Sequence, residues 1–127
     1  MKIIHKSEAT HINKPEGNKV DYYLRPEYEV HYNEQPPHAT VTWHFHEKVF
    51  ESLFIIEGKL TAKWKEGNKN IEGIVKAGDL IEVEGSPHTF TNHTDEITKF
   101  IVIKQVLSGK DRTEIFKTDK VTDGPVS

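Results

Sequence analysis

Two histidines, His44 and His46, stand two positions apart in the sequence Thr-Trp-His-Phe-His. Because side chains alternate across a β-strand, an extended backbone aims both imidazoles at the same side. Two imidazoles placed in this way can chelate a metal ion. The chain has no cysteine, so any such ion must be held by nitrogen and oxygen ligands. Taken alone, however, the pair is more typical of a strand that carries two solvated imidazoles.

Glu51 is the nearest carboxylate that could complete a metal site with these histidines. It lies five residues beyond His46, an odd offset that would turn it to the opposite face of a straight strand. We therefore expect a turn at 47–49 and a second strand on which Glu51, Leu53 and Ile55 share one face. With this corner, one carboxylate and two imidazoles converge on a single point.

A further histidine, His88, follows in the segment Gly-Ser-Pro-His-Thr-Phe-Thr-Asn and is the best candidate for a fourth ligand. The spacing His-x-His-x4-Glu-x6-Gly resembles the first motif of the cupin superfamily, and Gly-x2-His-x3-Asn resembles the end of its second motif. The two motifs are met, in order, by His44, His46, Glu51 and Gly58, and by Gly85, His88 and Asn92. Gly78-Asp79 opens the second motif, and His38 stands where the family usually has a glycine.

The resemblance implies an all-β fold. This fold is a single cupin barrel, a double-stranded β-helix similar to a jelly roll, with an N-terminal arm and a short C-terminal extension. We expect residues 1–127 to form one domain with a barrel core at about 38–106. The resemblance also implies one divalent transition-metal ion, which could be Fe, Mn, Ni, Cu or Zn, bound by His44, His46, Glu51 and His88.

The function implied by this resemblance is that of a mononuclear metal-dependent enzyme acting on a small organic molecule. Similarity to quercetinase-like single-barrel cupins favours a dioxygenase, with Glu51 as a catalytic base that partly leaves the metal. Isomerase, lyase and decarboxylase activities are alternatives, since one fold hosts many reactions. A non-catalytic cupin that only binds a small molecule is a further alternative.

Side-chain parity suggests which residues line a substrate pocket beside the metal. His38 and Thr42 share the parity of His44, and Phe90 and Asn92 share the parity of His88. We expect these four side chains to face the pocket. The remaining histidines are expected to point away from the site or to lie on the surface; they are His5, His11, His31 and His93.

Short alternating segments separated by turn residues indicate a β-sandwich or barrel. The expected strands are 21–32, a strand that starts at Ala39, 59–65, 71–75, 80–83, 88–92 and 97–106. Residues up to about 18 are expected to form an arm or a loosely attached strand, and 33–37 to form a connector. From Leu107 onward we expect a short helix or strap, with 122–127 frayed.

The same alternation places Trp43 and Phe45 on the face opposite the histidines. Large apolar side chains on an outer face form a patch that is costly to leave in water. We therefore expect the N-terminal arm, a partner subunit or both to cover them, which favours a homodimer.

The overall charge argues against two classes of partner. The formal charge is −3, from 17 Lys and Arg against 20 Asp and Glu, and the cations are scattered among acids. We therefore expect neither nucleic acid nor a membrane as a partner. The polar start of the chain does not resemble a signal peptide, and the longest uncharged apolar run is 52–56, so a cytoplasmic location is expected.

Overall fold

The computed structural model describes residues 1–105 together with the backbone of 120–122. A single 3-10 turn, Lys6–Glu8, precedes the strands of the described part. These strands are β1 Thr10–Asn13, β2 Lys19–Leu24, β3 Tyr28–Gln35, β4 His44–His46, β5 Phe50–Glu57, β6 Lys59–Glu66, β7 Lys69–Lys76, β8 Leu80–Val83, β9 His88–Thr91, β10 Thr98–Gln105 and β11 Lys120–Thr122.

The strands form two antiparallel sheets, as expected for a jelly-roll barrel. The six-stranded sheet has the order β1-β2-β3-β10-β5-β8, and the five-stranded sheet has the order β11-β4-β9-β6-β7. Apolar side chains from both sheets form one buried cluster; they are Leu53, Ile55, Leu60, Ala62, Phe90, Phe100 and Val102. The all-β barrel expected from the sequence is thus confirmed. Within the described residues, no helix is long and apolar enough to cross a membrane.

The corner expected between the two histidines and the glutamate is present. The backbone bends at Glu47 and Lys48, and β5 starts directly afterwards. Along β5, Glu51, Leu53 and Ile55 are buried on one face while their neighbours are more exposed. The parity argument for Glu51 is therefore confirmed, and β8 has the bounds that its alternation predicted.

Several expectations for the first third of the chain were wrong. Residues 21–32 do not form one strand, because Pro26 lies in a turn that splits them into the hairpin of β2 and β3. The connector expected at 33–37 instead begins as part of β3. Gln35 is fully buried there, and its Nε2 donates hydrogen bonds to the carbonyl oxygens of Ala39 at 2.8 Å and Phe90 at 3.1 Å.

The surroundings of β4 also differ from expectation. Regular strand structure begins only at His44, and Thr40 forms an isolated bridge with Thr91. The N-terminal arm does not pair with β4, because its strand β1 joins the edge of the other sheet. β4 lies between β9 and β11, and Val121 of β11 pairs with Phe45. The rest of the expected C-terminal strap, 107–119 and 123–127, lies outside the described residues.

Gly58 makes the tight connection between β5 and β6. Its φ of +91° is in the left-handed region, which favours glycine. A Cβ atom at this position would lie 2.6 Å from Thr98 Oγ1 and 3.0 Å from Thr98 Cα. Thr98 cannot easily move, because its hydroxyl donates to the Lys59 carbonyl at 2.8 Å and accepts from the Lys59 amide at 3.2 Å. Gly58 therefore fixes how closely β5 and β10 approach.

Candidate metal centre and cavity

Three elements bring the four candidate ligands together inside the barrel. His44 and His46 project from β4, and Glu51 follows the corner on β5. His88, on β9, pairs directly opposite His44. All four side chains are buried, with residue exposures between 4% and 7%. Ligand atoms of His44, His46 and Glu51 lie within 4.8 Å of one another.

The distances show that His88 also points into this centre. Its Nε2 lies 3.5 Å from Glu51 Oε1, while His46 Nε2 lies 3.0 Å from Glu51 Oε2. The His44 ring centroid is 4.5 Å from that of His88 and 5.2 Å from that of His46. Three imidazoles therefore surround one carboxylate.

Two of the imidazoles are oriented by carbonyls that lie two residues earlier, just before the strand begins. His44 Nδ1 lies 2.8 Å from the carbonyl oxygen of Thr42, and His88 Nδ1 lies 2.9 Å from that of Ser86. Because a carbonyl oxygen only accepts hydrogen bonds, Nδ1 must carry the proton in both rings. In the neutral imidazole, Nε2 then keeps its lone pair, which is the form that ligates metals. The Nε2 atom of His88 is buried and makes no hydrogen bond to the residues that the structure describes.

Glu51 supplies the negative charge of the centre. Burial alone would raise the pKa of this carboxyl, but the adjacent imidazoles of His46 and His88 and the positive charge of Lys104 outweigh burial. The pKa of Glu51 is therefore held well below its usual range. A carboxylate that stays ionised is a good metal ligand and a weak proton acceptor, which favours the ligand role over the base role.

The four donors fit a divalent cation. The Nε2 lone pair of His88 lies 3.5 Å from the buried carboxylate of Glu51, and the two repel each other unless a positive charge lies between them. A proton could fill this role, but three nitrogens and one carboxylate together are the donor set of divalent transition metals. The residues of this chain are thus suited to hold such an ion.

A second polar group of side chains extends the centre toward β3 and was not predicted. Lys104 on β10 is largely buried, and its Nζ lies 3.7 Å from Glu51 Oε2. His31 is also buried, with its Nε2 2.8 Å from Glu29 Oε1, so its expected surface position was wrong. Alternation along β10 contained the signal, because Lys104 shares the parity of the buried Phe100 and Val102.

A cavity of about 610 Å³ adjoins the centre. It lies between the sheets where their edge strands β7 and β8 come together, and β6 and the loop at 84–86 complete its wall. Of the four candidate ligands, His88 lines this cavity. A molecule bound there would therefore reach the centre from the His88 side.

The four side chains expected in a pocket have different surroundings. Phe90 lines the cavity, with its ring centroid 5.9 Å from that of His88. Thr42 is exposed, and its carbonyl orients His44. Asn92 is fully buried in a turn, where its Nδ2 donates to the carbonyl of Gln35 at 3.0 Å.

His38 is the fourth of these residues, and its side chain is directed away from the cavity. It has a φ of +64°, and its exposed ring lies 3.2 Å from Asp95. His38, Thr42 and Asn92 are therefore not among the residues that line this cavity.

Sequence comparison assigns this chain to one protein family. The model of the cupin domain matches residues 31–104, which is more than half of the chain. No curated protein has a sequence that matches this chain significantly.

Several known structures share the fold. Oxalate decarboxylase from Bacillus subtilis has a TM-score of 0.75 and 16% identity, over 94% of this chain and 31% of that chain. CapF, solved with the inhibitor 3-isopropenyl-tropolone, has a TM-score of 0.72 and 15% identity, over 90% and 34%. Drosophila melanogaster CENP-C, bound to CAL1, has a TM-score of 0.72 and 16% identity, over 81% and 85%. At these identities the likeness shows the fold alone, and this chain spans only about a third of the first two proteins.

Proposed function

Because this chain belongs to the cupin domain family, we propose that it binds one divalent transition-metal ion and uses it in the chemistry of a small organic molecule. The proposed ligands are His44, His46, Glu51 and His88. The observation that supports this most directly is the orientation of His44 and His88, whose Nδ1 atoms are fixed by carbonyls so that Nε2 is left as the ligand atom; in His88 this atom lies 3.5 Å from Glu51. The proposed ion is Fe, Mn, Ni, Cu or Zn, since mixed nitrogen and oxygen donors suit all five.

The proposed reaction is of the dioxygenase type, with isomerase, lyase or decarboxylase activity as the alternatives. When bound, such an ion supplies Lewis acidity toward substrate oxygen atoms and, if it is redox-active, a route for reaction with dioxygen. The barrel itself contributes by excluding water, since all four proposed ligands are at most 7% exposed. Glu51 contributes a fixed negative charge. As a catalytic base it would first have to lose the contacts with His46, His88 and Lys104 that keep its pKa low.

A small-molecule-binding function without turnover is the second candidate, and the cavity of about 610 Å³ favours it. Cavities of this size hold ligands as well as substrates. The neighbouring structures are not all enzymes by name: oxalate decarboxylase is one, whereas CENP-C is bound to CAL1 in its structure. The cytoplasmic location expected from the sequence stays a prediction, which fractionation of the native cells can test.

The decisive experiment is elemental analysis of untagged protein beside three variants. We expect one transition-metal ion per chain in the wild type, and a loss of most of it in His44→Ala and His88→Ala. His93→Ala is the matched control, because His93 is exposed and near His88 in sequence, and it should retain full metal content. Equal metal content in all four proteins would refute the proposed ligand set.

Oxygen uptake then separates the reaction classes. We expect metal-loaded protein to consume dioxygen with at least one member of a panel of diketones, catechols and flavonols. Turnover without oxygen uptake would assign the protein to the isomerase, lyase or decarboxylase alternatives. Stoichiometric binding without turnover would assign it to the binding function.

We also propose a homodimer, formed through the outer face of the six-stranded sheet. The strand registers align Tyr32, Ile101, Phe54 and Leu80 in one row across β3, β10, β5 and β8. This row spans about 14 Å at the usual strand spacing. Phe54 is 41% exposed and Leu80 is 63% exposed, so the row forms an apolar patch.

The charges beside this row suit a second copy of the same chain as the partner. Lys99 and Glu57 form an ion pair, with 3.4 Å between Nζ and Oε2, so the rim of the patch carries both positive and negative charge. In a dimer with two-fold symmetry, the patch of one subunit contacts the same patch of the other subunit. A rim that carries both signs can therefore place opposite charges across the interface.

A further inference from the structure

The cavity beside the proposed metal centre has apolar walls. Its inner surface is formed by Ala62 and Trp64 from β6, Val75 from β7, and Ile81 and Val83 from β8. These side chains are part of the buried apolar cluster or pack against it. A ligand that fills this space therefore exchanges water for apolar contacts.

The indole of Trp64 occupies space that a glycine leaves free. A Cβ atom at Gly73 would lie 3.4 Å from the edge of the Trp64 ring, so the indole packs directly against the backbone of β7. The indole Nε1 donates to Glu66 Oε1 at 3.1 Å, which directs its polar edge outward. The remaining surface of this side chain is an apolar plane that suits a ring compound.

The charges of the cavity lie at its exposed rim, and they do not favour a small anion. The rim carboxylates are Glu66, Glu82 and Glu84, and the cations that line the cavity are Lys63 and Lys65. Both cations have partners elsewhere: Lys63 Nζ lies 3.6 Å from Glu72, and Lys65 Nζ lies 5.7 Å from the centre of the Trp43 ring. A dicarboxylate would thus meet an acidic rim and apolar walls.

We propose that this cavity selects an apolar ring compound with two neighbouring oxygen atoms, whose rings lie against Trp64 and whose oxygens reach the centre past His88. The inference deepens the proposed function, because the oxygens are expected to face the metal ion held by the four ligands. It excludes small dicarboxylates as preferred ligands. The polar end of the ligand is assigned to His88 because this ligand alone of the four lines the cavity.

The test uses Co²⁺-loaded protein and three chelating probes: naphthalene-2,3-diol, catechol and oxalate. Affinity is measured by calorimetry and by the visible absorption of Co²⁺, and each value is divided by the affinity of the same probe for aqueous Co²⁺. Naphthalene-2,3-diol and catechol share one chelating group, so their ratio reports only the additional ring. We expect the diol to bind at least about tenfold more tightly than catechol, because its second ring is buried, and oxalate to bind most weakly. A diol-to-catechol ratio near one, or a preference for oxalate, would overturn the proposal.

Two variants connect this preference to the cavity. Ala62→Leu fills part of the space beside Trp64 and is expected to abolish the preference for the diol while leaving Co²⁺ affinity unchanged. Ala77→Leu makes the same change in an exposed turn outside the cavity and should behave as the wild type. If circular dichroism shows that Ala62→Leu does not fold, Val83→Phe from the opposite wall replaces it. A preference that survives a folded cavity variant would refute the assignment.

Failure of the metal proposal can be distinguished from failure of this inference. If Co²⁺ does not bind, the metal proposal fails, and titration of metal-free protein with the diol decides the cavity assignment. Binding that is lost in the cavity variant then supports an apolar ring ligand, and absence of binding overturns it. If Co²⁺ binds and the diol shows no preference over catechol, the substrate inference alone is wrong.

Discussion

At the scale of single residues, Glu51 and its cationic neighbour Lys104 show why the burial of an ion pair matters more for stability than the distance between its charged atoms. Lys104 Nζ lies 3.7 Å from Glu51 Oε2, and the two side chains are 16% and 5% exposed. Lys99 is closer to Glu57, at 3.4 Å, but those side chains are 39% and 65% exposed. Solvent screens the second pair, so the longer and buried contact is expected to contribute more to stability.

We therefore expect Lys104→Met to lower the unfolding free energy of metal-free protein by about 2 kcal/mol or more, because it leaves a buried carboxylate with less compensation. In metal-loaded protein the loss should be smaller, since the ion balances the charge of Glu51. Lys99→Met is the control and should cost about 0–0.5 kcal/mol. Urea unfolding with and without a chelator measures these differences, and equal effects of the two variants would contradict the expectation.

His31 gives the metal-free protein a specific pH dependence. Burial lowers the pKa of His31 below its ordinary value of 6.5, the hydrogen bond to Glu29 opposes this, and Lys104 lowers the pKa further. Between the folded and unfolded pKa values the unfolded chain binds more protons, so stability falls as the pH drops below about 6.5. His31→Gln should remove this component, which amounts to at most about 1.4 kcal/mol per pH unit.

Denaturant unfolding at several pH values, in the presence of a chelator, measures this contribution as the difference between wild type and variant. His93→Gln, at an exposed position, is the control. A wild-type-minus-variant difference that does not change between pH 5 and pH 8 would exclude His31 as the source.

At the scale of elements, the corner between β4 and β5 could be predicted because it follows from parity. Two histidines and a glutamate at an odd offset cannot share a face without a turn, and Glu47 and Lys48 supply it. The extension of β3 could not be predicted in this way. Its polar end, Asn33–Gln35, has the composition of a loop, and it becomes a buried strand through pairing with β10 and the long-range hydrogen bond from Gln35 to Phe90.

Gly58 and Gly78 allow a direct test of how β5 and β10 are spaced. Their φ values are almost equal, +91° and +92°, so replacement by alanine adds similar backbone strain at both. They differ in surroundings, because a Cβ at Gly58 would collide with Thr98, whereas at Gly78 it meets nothing within 4 Å. We expect Gly58→Ala to cost about 1–3 kcal/mol more than Gly78→Ala, as measured by thermal or urea unfolding. Equal costs would show that backbone strain alone restricts Gly58.

At the scale of the whole molecule, the barrel could be predicted from two motifs and alternating strands, but its covering segments could not. Trp43 and Phe45 predicted that the N-terminal arm, a partner subunit or both would cover the outer face of β4, but in the structure the arm lies in the other sheet. The sequence pattern did not show that β11 would pair there while β1 joined the opposite sheet. Such pairings depend on chain paths between distant segments, about which local alternation carries no information.

The outer face of the six-stranded sheet carries the proposed dimer, and Phe54 lies in its central row. We expect Phe54→Lys to convert the dimer to a monomer, because it places a charge in the apolar patch. Ile74→Lys is the control, since Ile74 is 71% exposed but lies on β7 in the other sheet. Sedimentation velocity measures both variants. A wild-type monomer at high concentration would refute the dimer, and a Phe54→Lys dimer would refute this interface.

The carbonyl bonds of His44 and His88 have one more consequence. Each ring is held by a carbonyl only two residues earlier, that of Thr42 or of Ser86, so its orientation is set by the adjacent backbone and does not depend on an ion between the rings. We therefore expect the metal-free site to keep its geometry and to bind a metal ion again without refolding. Which of the five proposed metals the site binds in the cell would then depend on metal availability more than on a preference of the protein.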